Sequence, residues 1–246
     1  MIPARGLPSL DQQRVVVIGG SSGIGHEVAR QAAAQGARLT ITGRDRSRLA
    51  AAADRQGGVE TAELDAHDDG AVERFFAGLG RVDHVVSMVG DSMAGGFTTT
   101  TPETMRHVLG SKFWANWTIS RHAAQVLGEG SSLTFTSGTG GRPHEISATY
   151  VANLGLGALV QGLAVELAPR TRVNAVAPTF MGTATAFWKD VAAEELRRQE
   201  AAFGEHVPLR RVATVSEVAA TYVHLIANSF ITGQTVAVDG GVMLTV

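Results

Sequence analysis

The chain reads RVVVIG from Arg14 to Gly19, shares that last glycine with GGSSGIG (Gly19–Gly25), and continues from Ile24 to Gln35 in helical spacing. A short β-branched run is read as a buried strand, and the glycines as a turn too tight for side chains. The Ala-rich segment beyond is read as a helix ended by Gly36. A strand passing through such a turn into a helix is the opening unit of a layered α/β fold. An all-β or all-α architecture has no place for it.

The rhythm then repeats. RLTIT (38–42), VETAEL (59–64), HVVSMV (84–89), SLTFTS (132–137), RVNAVA (172–177) and TVAVD (235–239) are the further strand candidates, with Ala/Leu-rich helical segments between them. Their hydrophobicity is continuous rather than alternating, as expected of strands covered on both faces. The expected fold is therefore α/β, a single-domain Rossmann-like doubly wound parallel sheet of about seven strands flanked by helices. The 246 residues suit one such domain, and no linker, low-complexity tract or internal repeat divides residues 1–246. With no cysteine and only 18% charged residues, thiolate metal sites, disulfides and disorder are excluded, and no metal is expected. A net charge of −2 argues against a nucleic-acid partner. The opening MIPARGLPSLDQQ has no apolar signal core, and no apolar stretch is expected to span a membrane. A cytoplasmic protein without a membrane partner is the expectation.

The glycine loop between strand and helix is suited to phosphate, because free N–H groups and the positive end of the helix dipole meet there. Gly19, Ser21, Ser22, Gly23 and Ile24 are the candidate contacts; Ser21, Ser22 and His26 either add hydrogen bonds to a ligand or only cap the helix. At the end of the second strand, TGRDR (42–46) offers no carboxylate for a ribose diol. Instead Gly43 leaves space and Arg44 brings a planar cationic fork suited to a 2′-phosphate. This points to NADP(H) rather than NAD(H); the alternative is that Arg44, Arg46 and Arg48 form a solvated helix start. Asp65, after the third strand, is placed either against an adenine amino group or in solvent.

Taken in order, these pieces resemble the short-chain dehydrogenase/reductase family over nearly the whole chain. The family's opening Thr-Gly-x-x-x-Gly-x-Gly appears as Ile18, Gly19, Gly23 and Gly25, its Asn-Asn-Ala-Gly as Ser87, Met88, Val89 and Gly90, and its Pro-Gly as Pro178 and Thr179. The segment FITGQTVAVDGG is similar to the family's closing strand. The resemblance implies that Gly90, Pro178 and Thr183 border the nicotinamide, that residues 180–207 form a substrate lid, and that the protein is a homotetramer or homodimer. Phe180, Met181, Phe187 and Trp188 in that lid suggest a partly apolar substrate.

The resemblance also implies a catalytic serine at Ser137 and a tyrosine thirteen residues on, at Tyr150. The family's lysine position is Leu154, and its asparagine position, by spacing, is Gly110. A tyrosine titrates near pH 10 without a neighbouring cation. Such a phenol can still give a proton to a developing alkoxide but is a poor base, so a rate loss of about 10²–10³ is expected without abolition. Lys112, two residues beyond Gly110, is expected to point away, about 200° round an ideal helix. His144, in the loop GGRPHEIS, is a second candidate acid or base. Asn116 is offset from the asparagine position, and Phe113, Trp114 and Trp117 are expected to pack helices. The expected activity is NADP(H)-dependent reduction of a carbonyl on a small or medium substrate. The alternatives are the same fold with elimination or isomerisation chemistry, and a non-catalytic dinucleotide-binding subunit.

Overall fold

The computed structural model describes residues 9–182 and 191–245. Seven strands, β1 (Arg14–Ile18), β2 (Arg38–Gly43), β3 (Glu60–Glu63), β4 (Val82–Ser87), β5 (Leu127–Thr136), β6 (Thr171–Pro178) and β7 (Thr235–Val238), form one parallel sheet. Their order is β3-β2-β1-β4-β5-β6-β7, so the winding direction reverses between β1 and β4. That reversal opens a crevice beyond the carboxyl ends of the central strands, where ligands bind in open α/β sheets.

The helices follow from the same patterning. Val15 and Val17 of β1 enter a core with α1 (Gly23–Ala33), α2 (Arg46–Arg55) and α7 (Val215–Ala227). The alternate residues Val16 and Ile18 enter a second core with α3 (Asp69–Leu79), α5 (Ala115–Val126) and α6 (Ser147–Glu166). Both sheet faces are thus dry, which is why the strands carry no polar alternation. Asp45 caps α2 by accepting from Ser47 N and Arg48 N, so the charged stretch after β2 is helical from its first residue. Thr214 and Glu217 close a reciprocal capping box at the start of α7.

Register places the functional edge. Ile18 pairs with Thr42 on one side and Ser87 on the other, Ser87 with Phe135, and Phe135 with Ala175. The strands therefore end in step, and the residues beyond them form one rim. Between α4 (Pro102–Val108) and α5 the chain makes a π-helical turn, Leu109–Trp114. The 20-residue α6 departs from the expectation that no span-length apolar stretch exists, with a mean hydropathy of 1.4. Its Leu156 and Val160 are fully buried in the second core, so here that apolarity packs against a sheet.

His84 of β4 makes a stability test available. Its Nδ1 lies 2.8 Å from Ser132 Oγ and its Nε2 2.6 Å from Gln13 Oε1, and burial pulls its pKa down from 6.5 to about 4. The unfolded chain takes up this proton first, so the contribution is complete above about pH 6.5 and lost as pH falls toward 4. Over that window roughly 3 kcal/mol of unfolding free energy should disappear. Urea melts of the wild type and of His84→Gln between pH 7 and pH 4.5 measure it. A parallel decline in the variant would show that other groups are responsible.

Candidate active site

The turn after β1 is held by two hydrogen bonds, from Gly19 N and Gly20 N to Thr42 O, each 3.0 Å. Gly19 has φ +83° and Gly23 φ +54°, both in the left-handed region that favours glycine. At Gly25 a Cβ would lie 2.3 Å from Gly19 O, so the helix can approach the turn only because no side chain is present. Ser22 flanks α1 in extended conformation without a side-chain capping bond, and the first turn carries no acidic residue. The positive end of α1 is therefore left to face an anion. His26, by contrast, is taken up by Gln56, whose Nε2 lies 2.7 Å from its Nδ1, so it braces α1 against α2.

A cavity of about 440 Å³ runs from this loop across the strand ends; Gly19, Ser22, Gly23, Ile24, Gly90, Ser137, Pro178, Phe180 and Met181 are in its wall. A second, of about 500 Å³, lies against α6 and contains Tyr150, Leu154, Gln161 and Met243. The two share Ser137, Gly138, Thr139, Gly140, Ile146 and Asn153, so they meet along the segment after β5. In the wall of the first, Thr139 Oγ1, Asn153 Oδ1 and Thr179 Oγ1 are buried without a hydrogen-bond partner. Each such orphan costs about 1–3 kcal/mol unless a polar ligand or water satisfies it. A glycine cradle at one end and a row of unsatisfied oxygens at the other fit an elongated polar ligand with a phosphate group.

Lys112 contradicts its expected direction. It is 4% exposed, and its Nζ donates a long hydrogen bond of 3.5 Å to Ser137 O. An ideal helical phase does not apply, because the π-helical turn from Leu109 to Trp114 adds a residue to the local repeat. The stem passes beside Gly90, where a Cβ would come within 2.9 Å of Lys112 Cγ. Burial lowers the ammonium pKa to about 8, with Asp91 opposing the fall. Asn116 is structural: it donates to Lys112 O at 2.6 Å and Val89 O at 3.1 Å and accepts from Ser87 Oγ, tying the π-helical turn to the end of β4. Trp114 and Trp117 stack at 4.8 Å, and Phe113 packs on Gly155 of α6.

Residues 18–243 match the family model described as enoyl-(acyl carrier protein) reductase. Over 94% of its length the chain is 31% identical to a short-chain dehydrogenase/reductase of Gibberella fujikuroi, 95% of which is covered. The chain belongs to the short-chain dehydrogenase/reductase family. It is also 32% identical to a 3-oxoacyl-(acyl-carrier-protein) reductase of Bos taurus, over 93% of this chain and 97% of the other. A solved small-chain dehydrogenase in complex with NADPH superposes with a TM-score of 0.79 at 28% identity, covering 95% of this chain and all of that one. The family consists of oxidoreductases that use a nicotinamide dinucleotide.

On this short-chain dehydrogenase/reductase frame the candidate residues divide. Gly19, Ser22, Gly23, Ile24, Gly90, Ser137 and Pro178 are brought together in the first cavity. Ser21 stands beside Gly43, where a Cβ would be 3.1 Å from its Oγ. Arg44 is exposed. The Asp65 carboxyl, although partial burial works the other way, is held below its usual range chiefly by accepting from His67 N at 3.1 Å and by its contact with the His67 ring, with Arg44 adding the smallest share. Tyr150 and Leu154 stand in the second cavity, while Thr149 and Asn153, each one residue earlier on α6, line the first. His144 is on an exposed loop, its Nε2 3.9 Å from Glu145 Oε1, and is not brought into either cavity. Thr183, Phe187 and Trp188 lie outside the described residues. The sequence reading passed over Asn153 and Thr139, and gave Thr179 only as the counterpart of the family's glycine after Pro178. Their one signal is position, within a few residues of Ser137, Tyr150 and Pro178.

Proposed function

We propose that the chain is an NADP(H)-dependent reductase of a carbonyl group on a small or medium, partly apolar substrate. The observation that carries this reading is a single cleft running from the glycine loop to Ser137, with Phe180 and Met181 in its wall. The N–H groups of residues 19–25 and the start of α1 would hold the pyrophosphate, with Arg44, Gly43 and Asp65 at the adenosine end. Gly90 and Pro178 would border the nicotinamide, with Thr183 as a further candidate. When bound in reduced form, the dinucleotide supplies hydride to the carbonyl carbon. The Ser137 hydroxyl donates a hydrogen bond to the substrate oxygen and so stabilises the negative charge it gains. Tyr150, which shares the second cavity with Ser137, gives its phenol proton to that oxygen as charge develops.

The cofactor preference rests on Arg44. Arg44→Ala should weaken NADPH by about 10–100-fold, the loss expected of one charge-assisted contact, and NADH by far less. Fluorescence titration with both dinucleotides decides this, and equal losses would remove the assignment. The position of Tyr150 outside the first cavity favours a second reading, in which the same site binds a dinucleotide but runs elimination or isomerisation, or serves a non-catalytic subunit. NADPH binding without oxidation on a panel of aldehydes, ketones and 3-oxoacyl thioesters would select it.

A further inference from the structure

A buried ammonium with one long hydrogen bond is costly to keep, and Lys112 keeps one against Ser137, whose segment lines both cavities. Beside it, Asn153 donates from Nδ2 to Gly138 O at 3.1 Å, which leaves its Oδ1 without a partner. Both groups converge on Gly138. A Cβ built there would lie 3.8 Å from Lys112 Nζ and 3.8 Å from Asn153 Oδ1, so both groups lie close to a glycine that lines both cavities. The arrangement is a donor cation and an acceptor amide flanking one glycine of the cavity wall. It is complementary to a vicinal diol, whose oxygens accept from an ammonium and whose hydrogens donate to an amide oxygen.

We infer that Lys112 and Asn153 form the subsite for the nicotinamide-side ribose hydroxyls, so that the site's cation comes from the π-helical turn rather than from α6. The inference rests on the dinucleotide reading above. The ammonium is the binding form, and burial places its titration near pH 8. The charged group acting on it is Asp91 beyond β4, which is itself held by His107 of α4, whose Nε2 lies 2.7 Å from Asp91 Oδ2. Asp91 favours the charged form of Lys112.

The test measures binding and melting, not turnover. In Lys112→Met, NADPH should bind about 10–100-fold more weakly at pH 7, the loss expected for a charge-assisted contact. Binding of 2′,5′-ADP, which lacks the nicotinamide ribose, should be unchanged. Wild-type NADPH affinity should fall as pH rises from 7 to 9.5, and the variant's should not. Without ligand the variant should melt several degrees higher at pH 7, because the folded ammonium is disfavoured there. That gap should narrow toward pH 10, as the wild-type group becomes neutral in both states. Should Lys112→Met fail to fold, the wild-type pH titration and Asn153→Leu, expected to weaken NADPH but not 2′,5′-ADP, carry the test. Unchanged NADPH affinity and pH dependence in the variants would overturn the subsite alone. Wild-type failure to bind either dinucleotide would overturn the dinucleotide reading, and the subsite with it.

Discussion

Gly25→Ala is expected to weaken dinucleotide binding by at least about 100-fold, roughly 3 kcal/mol, while leaving a folded protein. A methyl group at this position would lie 2.3 Å from Gly19 O and 3.1 Å from Met88 Cγ. The first contact is with backbone, so it cannot be relieved by a side-chain rotation. Either α1 retreats from the turn or the turn opens, and both displace the N–H groups that face the anion. Gly162→Ala on α6 is the control, because nothing lies within 4 Å of its Cβ position and the helix should gain up to about 1 kcal/mol. Calorimetric titration with NADPH, beside thermal melts of both variants, measures the pair. Retained affinity in Gly25→Ala would show that the loop does not hold the phosphate.

Ser137→Ala should lower kcat/KM for carbonyl reduction by about 10²–10³, the usual cost of removing one donor from a developing oxyanion. The dinucleotide dissociation constant should stay within about twofold, since the serine is assigned to the substrate oxygen and not to the cofactor. The fold tolerates the change: Ser137 N donates to Val176 O at 2.8 Å, a backbone bond that alanine keeps. Steady-state rates on the best substrate from the carbonyl panel, with NADPH saturating, provide the comparison. A loss smaller than about tenfold would take Ser137 out of the chemistry.

The sheet was legible because hydrophobic runs on a two-faced parallel sheet need no partner to be recognised. SLTFTS marks only the inner part of β5, which begins at Leu127, because the GEG at 128–130 interrupts the apolar pattern. The glycine loop was legible for the same local reason, since strand, turn and helix are contiguous. What spacing could not show is helical phase. Lys112 lies within a π-helical turn that no residue pattern announces, and the assumed rotation sent it outward. On α6 one residue of phase, about 100°, separates Tyr150 from Thr149 and Leu154 from Asn153. The thirteen-residue interval after Ser137 therefore matches a familiar spacing, while Thr149 and Asn153 are the ones that face the glycine-loop cavity.

The passage of the Lys112 stem beside Gly90 ties two distant stretches of chain to one another. Gly90 has φ +140°, and a Cβ there would meet not only Cγ of Lys112 at 2.9 Å but also its Cβ and Cα at 3.2 and 3.3 Å, so a shorter residue at 112 would not free position 90 for a side chain. Redesign of this enzyme around a new substrate must therefore keep glycine at 90 and fit any exchange at 112 to it.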